Sequence, residues 1–271
     1  MKLFNDIHRF LGRNKQLFRK GVSKWMFEHS REKKKNTDNI KALKNKYLGQ
    51  RCFIVCTGPS LKIEDLEKIR NHGDITFSCN KIDKLFDRTE WRPDYYCISD
   101  EGYMFNMLSS MNKVPSKMQF YPTESFLTTM FCKNKAAWVN AIRDYREGDM
   151  FSYDIENRLN TFGTVTYSLL QLAVYMGFKN IYIIGCDNSY AKTRMKDGTV
   201  IDRGVSNYFE GGNSKKTDNV VVDTWIMDMA YSLARKEADN HDFTIYNATR
   251  GGYLEAFPRV DFDGLFEKNS L

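Results

Sequence analysis

Arg51-Cys52-Phe53-Ile54-Val55-Cys56-Thr57-Gly58-Pro59-Ser60-Leu61 is the stretch that decides the fold. Its first six residues are short, apolar and rich in β-branched and aromatic side chains, the composition of a strand buried on both faces. Thr57-Gly58-Pro59-Ser60 can only be a turn, because Gly and Pro punctuate regular structure. From Leu61 to Arg70 the spacing predicts a helix, with Ser60 placed to cap it and Glu64 and Asp65 near its positive end. A strand feeding a tight turn and a helix is the opening unit of an α/β sheet.

The unit repeats along the chain. Ile75 to Cys79 reads as a second strand closing on Asn80, and Tyr95 to Ser99 as a third closing on Asp100. After Thr161-Phe162-Gly163-Thr164, the residues Val165, Leu169, Leu172, Ala173 and Met176 have helical spacing and stop at Gly177. The strand Ile181 to Gly185 follows and ends in Asp187. A last helix, Asp223 to Ala238, and a strand, Phe243 to Tyr246, lead to Asn247-Ala248-Thr249-Arg250. This order predicts a Rossmann-like, mostly parallel sheet flanked by helices. Residues 104–157, rich in Phe, Met and Tyr without clear period, are expected to form helices and loops of a lid or acceptor-facing insertion. The polar, Gly-rich residues 191–219 are expected to form a second lid-like loop. The domain thus spans residues 47–271, behind an arm of residues 1–46.

In a sheet of this kind ligands bind beyond the carboxyl ends of the strands. Thr57, Ser60, Asn80, Ser99, Asp100, Asp187 and Thr249 all fall there. The turn with Thr57, Gly58, Pro59 and Ser60 offers amide hydrogens at a helix start, where a phosphate fits, although it matches neither the Walker loop nor GxGxxG. Asp187 could hold a ribose hydroxyl, bind a metal, act as a base or simply cap a turn. Asp261-Phe262-Asp263 looks like a metal motif but lies outside any strand-end context. His8, His29, His72 and His241 are scattered, with no ligand spacing, and are expected to be solvated.

Composition sets the frame. The chain has 271 residues, 42% of them hydrophobic, enough for a real core. Its six cysteines form no CxxC pair, and several lie in apolar stretches, which points to reduced thiols and a cytoplasmic location. No apolar run approaches a membrane span, and no signal-peptide core is present at the N-terminus. Of 41 Lys and Arg, fourteen lie in residues 1–46 against four acids, so the arm carries +10 and the remainder −3. Within the arm Leu3, Phe4, Ile7, Phe10, Leu11, Leu17, Phe18, Val22, Trp25 and Met26 recur at helical steps. Such a basic amphipathic helix suits an anionic membrane surface, with residues 1–30 as the contact, or packing on the domain or a partner copy. Nucleic acid is not expected, since no nucleic-acid motif accompanies the charge. Residues 31–45 read as a linker or exposed helix end.

The spaced set Cys56-Thr57-Gly58-Pro59-Ser60-Leu61, Ser78-Cys79-Asn80, Phe162-Gly163-Thr164 and Gln171 to Asp187 resembles the MptE-like domain family over about residues 49–265. That family includes 6-hydroxymethylpterin diphosphokinases and motility-accessory-factor glycosyltransferases, and is distantly similar to bacterial lipooligosaccharide sialyltransferases. The resemblance implies a transferase that moves a sugar, favoured as a sialic-acid-like sugar from a CMP donor, onto a lipid-linked or cell-surface glycan, with no metal or other cofactor; the basic helix of the arm would dock it at the inner face of the membrane. It implies a nucleotide held by Thr57, Gly58, Pro59, Ser60 and Asn80, with Thr161, Gly163 and Thr164 on the far side, and Ser99, Thr249 and Arg250 at neighbouring strand ends. Tyr190 and Tyr208 would hydrogen-bond the departing phosphate. Two departures stand out: Cys56 replaces a glycine of the turn, and Asn207 stands where a histidine base is expected, and an amide is no base. Asp100, Asp187 or Asp202 would take over. Pyrophosphoryl transfer from ATP, needing Mg²⁺ on Asp100 and Asp187, and a non-catalytic nucleotide-binding scaffold are the alternatives. Homo-oligomerisation stays open.

Overall fold

The computed structural model describes residues 16–100, 104–143, 150–209 and 220–267. Strand β1 (Arg51–Val55) shows why the chain folds as it does: Cys52, Phe53, Ile54 and Val55 are all fully buried. Cys52 and Ile54 join one apolar cluster, Phe53 and Val55 another. The two-residue side-chain period thus feeds two separate cores, one on each face of the sheet, as a central parallel strand requires.

Chain order runs from a helix at 16–28 (α1) through α2 (Glu32–Lys41), β1, α3 (Ile63–His72), β2 (Ile75–Cys79), β3 (Tyr95–Cys97), α4 (Met104–Lys113), β4 (Met118–Pro122), α5 (Phe126–Thr129) and β5 (Ala136–Val139). A short pair, β6 (Ala141–Ile142) and β7 (Leu159–Asn160), precedes α6 (Val165–Tyr175) and β8 (Asn180–Ile184). Then come β9 (Lys192–Arg194), β10 (Val200–Asp202), β11 (Val221–Val222), α7 (Thr224–Asn240) and β12 (Thr244–Asn247). The main sheet has seven strands in the order β12-β8-β1-β2-β3-β4-β5, every pair parallel. From β1 the chain steps outward through β2 to β5, then returns to place β8 on the other side of β1. The order therefore reverses between β1 and β8, and the crevice beyond their carboxyl ends is the topological switch point.

The two cores hold the layers. Leu169, Leu172 and Ala173 of α6 with Ala230 and Ala234 of α7 cover one face, and Leu66 and Ile69 of α3 with Met107 and Met111 of α4 cover the other. Each large aliphatic side chain so buried contributes about 1.5–3 kcal/mol.

Several expectations change. Residues 104–157 do not consist of helices and loops alone, since β4 and β5 extend the main sheet; their Met118, Phe120, Tyr121 and Trp138 are buried, an aromatic and sulfur composition that hides the strand pattern. Within 191–219 the described residues form β9 and β10, closed by the turn at Asp197-Gly198, where Gly198 has φ +91° and the Met195 amide donates to Thr199 O. Residues 210–219 lie outside the described residues. The helix after the first turn begins at Ile63, two residues late, with Lys62 at its cap position, because Ser60 is engaged elsewhere.

The arm is stitched to the domain at the free edge of β5. The Asn36 amide group accepts from the Trp138 N–H (2.7 Å) and donates to the Trp138 carbonyl (2.9 Å), supplying to the edge strand the pairing a neighbour would give. Ser23 donates to Thr123 O and accepts from the Leu127 N–H, while Phe27 packs on Phe126 and Trp138. Residues 31–45 are therefore a packed helix and turn, with Ile40 and Leu43 in the core, and not a linker. Among the described residues no helix is long and apolar enough to cross a membrane.

Candidate functional site

Two adjoining clefts open at the carboxyl ends of the strands. The first, with about 840 Å³ of solvent-open space, lies over β1 and β8 and is lined by Thr57, Gly58, Thr164, Thr166, Asp187, Asn188, Tyr190, Asn207 and Tyr208. The second, about 770 Å³, lies over β2 and β3 and is lined by Asn80, Ser99, Asp100, Arg143, Thr161, Gly163, Thr164 and Tyr208. Thr164 and Tyr208 belong to both, so the clefts join there.

The loop after β1 is not an open cradle of amides. The Gly58 N–H donates to Gly185 O (2.8 Å), the Leu61 N–H to Gly58 O, and the Ser60 N–H to Asp187 Oδ2 (3.2 Å); Pro59 has no donor and is exposed. Ser60 does not cap the next helix, for its hydroxyl also donates to Asp187 Oδ2 (2.8 Å). Ser60 thus acts through Asp187, fixing the carboxylate at the cleft. Gly58 is required by close approach: a Cβ there would lie 2.1 Å from Asp187 Oδ2 and 2.5 Å from Gly185 O.

The helix start that faces this region is that of α6, capped by Thr164. The Thr164 hydroxyl accepts from the Thr166 N–H, and both residues line the first cleft, so the positive end of the α6 dipole faces it. Gly163, with φ +71°, lets this turn rest on α7, since a Cβ would meet Ile226 O at 2.8 Å.

Asp187 is 9% exposed, and its burial raises its pKa above the ordinary Asp range, opposed by the two bonds from Ser60. Tyr190 is pushed far upward by burial, then by the neighbouring Cys186 and Cys56, and stays a neutral hydrogen-bond donor. Cys56 and Cys186 also line the first cleft. The bond with Cys186 and burial push the Cys56 thiol well up, so it is no nucleophile.

Several expected site residues take other positions. Asn207 and Tyr208 reach the site because the Phe209 N–H docks on Thr57 O, but the Asn207 side-chain oxygen accepts from the Ala191 N–H (2.6 Å) and braces the loop after β8. Asp100 lies in the second cleft, ion-paired with Arg143 at 3.1 Å. Asp202 sits exposed on β10 beside Lys192 and lines neither cleft. Thr249 is buried beneath the site, where its hydroxyl accepts from the Cys186 N–H and ties the end of β8 to the chain after β12. Arg250 turns to Asp65, which it grips with two nitrogens at 2.8 and 3.0 Å, and to Asp263 at 2.9 Å. The Asp261-Phe262-Asp263 stretch is likewise structural, Asp261 accepting from the Gly264 N–H and Asp263 pairing with Lys68 and Arg250. His29, His72 and His241 are exposed, while His8 lies outside the described residues. All six thiols are free.

Arg250→Ala is accordingly expected to remove about 2 kcal/mol of stability, because Asp65 is 5% exposed and loses its partner. A thermal melt should fall by about 3–6 °C.

The structure also supplies residues the sequence reading missed. Asn188, in a left-handed conformation at φ 50°, donates to Asp228 of α7 and keeps a buried Oδ1 without a partner at the first cleft. Arg143 brings a cation to the second cleft, and Thr166 and Tyr231 complete the wall of the first. Asn188 follows Asp187 directly and could have been found from that; Arg143 sits in a stretch with no pattern to mark it.

Comparison with known proteins fits this arrangement. No curated protein matches the chain in sequence. A solved structure described as a MAf glycosyltransferase, from Magnetospirillum magneticum AMB-1, superposes with a TM-score of 0.52 at 16% identity, covering 81% of this chain and 35% of that one. The likeness is one of fold, and the chain spans about a third of that protein. The model of the family described as 6-hydroxymethylpterin diphosphokinase MptE-like matches residues 27–193, so the match begins inside the arm, at the core residue Phe27, and ends at Thr193 of β9. On that match, over more than half its length, the chain belongs to the MptE-like family.

Proposed function

We propose that the protein is a glycosyltransferase that moves a sugar from a nucleotide donor, a CMP-activated sialic-acid-like sugar, onto a lipid-linked or cell-surface glycan at the inner face of the cell membrane. The observation that carries the proposal is the pair of joined clefts at the switch point, one holding a buried carboxylate and the other a cation. A nucleotide-sugar lies along both, with Thr57, Gly58 and the start of α6 on one side and Asn80, Ser99, Thr161 and Gly163 on the other. In the reaction the acceptor oxygen bonds to the anomeric carbon, the bond from that carbon to the phosphate oxygen breaks, and the nucleotide leaves with the electron pair. Asp187 takes the acceptor proton, and Tyr190 and Tyr208 donate to the departing phosphate, the roles a general base and a charge-stabilising pair perform. No metal enters this scheme.

Pyrophosphoryl transfer from ATP is the second reading, because the family takes its description from it. It needs carboxylates shared by Mg²⁺. Asp100 and Asp187 open on different clefts, and Asp100 is paired with Arg143, which favours the sugar transfer. Thermal shift with CMP, CDP, UDP, GDP and ATP, with and without Mg²⁺, separates the readings. CMP at a hundredfold excess over its Kd is expected to add about 2.7 kcal/mol without metal. A response confined to ATP with Mg²⁺ points to the kinase, and no response at all to a non-catalytic scaffold.

A further inference from the structure

Helix α1 turns its apolar side away from the protein. Ser23 and Phe27 face the domain at 1% and 4% exposure, while Phe18 is 74% exposed, Trp25 61% and Leu17 57%. Phe18, Val22 and Trp25 are spaced four and three apart, on one helix face, and with Gly21 they line a shallow apolar notch. The same spacing runs back in the sequence through Leu3, Phe4, Ile7, Phe10 and Leu11. A row of large apolar side chains left in water marks an interaction surface.

Charge selects the occupant. Residues 1–46 carry +10, and Lys34 and Lys35 in the first turn of α2 are exposed. A second copy seated on the same face would bring +10 against +10. A nucleic acid would meet aromatic and aliphatic groups at the centre of the face where it needs cations. An anionic bilayer suits both parts, because an apolar stripe enters the headgroup boundary while Lys and Arg neutralise lipid phosphates.

We propose that the outward face of α1, centred on Phe18, Val22 and Trp25, docks the protein on an anionic lipid bilayer with the helix lying in the plane of the interface. The docking gives the proposed membrane acceptor its surface, and it holds whichever reaction the clefts perform.

Co-sedimentation of the full chain with vesicles tests it. The chain is expected to pellet with mixed phosphatidylglycerol–phosphatidylcholine vesicles, weakly with phosphatidylcholine alone, and less as salt rises to about 0.5 M. Changing Phe18→Ser together with Trp25→Ser should cut vesicle affinity tenfold or more without moving the thermal melt, since both side chains are exposed. In a Trp225→Phe background, which removes the other partly exposed indole, Trp25 fluorescence should shift to the blue on anionic vesicles, Trp91 and Trp138 being already buried. No pelleting, equal pelleting on neutral and anionic vesicles, equal pelleting of the double variant, or a double variant that instead changes the oligomer size in gel filtration would overturn the proposal. None of these readouts involves nucleotide or turnover, so a failure here is distinct from a failure of the assigned reaction.

Discussion

Gly58→Ala is expected to lower stability by about 3 kcal/mol and to abolish the thermal response to nucleotide. The added Cβ would stand 2.1 Å from Asp187 Oδ2 and 2.5 Å from Gly185 O, distances that no real Cβ contact shows. Relief requires the loop after β1 to lift from the loop after β8, breaking the bond from the Gly58 N–H to Gly185 O and the two bonds from Ser60 to Asp187. Overpacking of this kind in a tight interior costs about 1–3 kcal/mol, and the lost bonds bring the value to the upper end. A melt should fall by about 6–10 °C. Thr57 and Asp187 would shift together, so CMP should no longer stabilise the variant. Gly73→Ala serves as a control: its surroundings are open and only its left-handed φ of +80° is strained, so it should lose stability while nucleotide still raises the melt. A Gly58→Ala protein that melts and binds like the wild type would show that the two loops are not locked to each other.

Much of the architecture could be read from residues, and the limits have physical causes. β1, β2, β3 and β8 are apolar runs that end in turn or polar residues, and all four are where the sequence puts them, in a parallel sheet. β4 and β5 escaped because Met118-Gln119-Phe120-Tyr121 and Ala136-Ala137-Trp138-Val139 carry a single β-branched residue, Val139, and no sustained alternation; what makes them strands is burial between two helical layers, a tertiary effect. The β9–β10 hairpin had a local signal, Asp197-Gly198, that the polarity of its surroundings concealed. The arm misled in a different way. Its apolar period marked a helix, but the period alone did not say which face meets the domain, and the structure buries Ser23 and Phe27 while Phe18 and Trp25 stay out.

Strand-end position brings Asp187, Asn80, Ser99 and Asp100 to the clefts, since a parallel sheet puts all carboxyl ends at one edge. It could not tell residues in the clefts from residues beneath them. Thr249 and Arg250 also follow a strand, yet β12 is the outermost strand on its side, and their partners are Cys186 and Asp65. The loop of residues 57–61 changed most. Expected to hold phosphate by its own amides, it spends those of Gly58, Ser60 and Leu61 on Gly185, Asp187 and Gly58, and the helix start that faces the first cleft is that of α6, capped by Thr164. The replacement of a glycine by Cys56 fits this arrangement, because its thiol packs against Cys186 and Thr166 in the wall of the first cleft.

Asp187→Asn is the sharpest test of the proposed chemistry. If Asp187 takes the acceptor proton, its loss should lower turnover by about 10²–10⁴-fold. The fold should survive, because an asparagine oxygen still accepts from Ser60 and no charge needs burying. Burial holds the folded pKa of Asp187 above its unfolded value of about 3.9, so the native state binds its proton more tightly than the unfolded chain. The stability that Asp187 contributes is therefore present at low pH and lost as pH rises through the raised value. At pH 7 the variant should melt at or slightly above the wild type, and any advantage should vanish below about pH 4. The wild-type rate should show an acid limb displaced above the ordinary Asp pKa, since only the ionised carboxylate accepts a proton, and the limb should be missing from the residual rate of the variant. CMP affinity should change by less than about threefold, because the base meets the acceptor and not the nucleotide. An Asp187→Asn enzyme with the wild-type rate and the same acid limb would remove Asp187 from catalysis and turn attention to Asp100, the carboxylate of the second cleft.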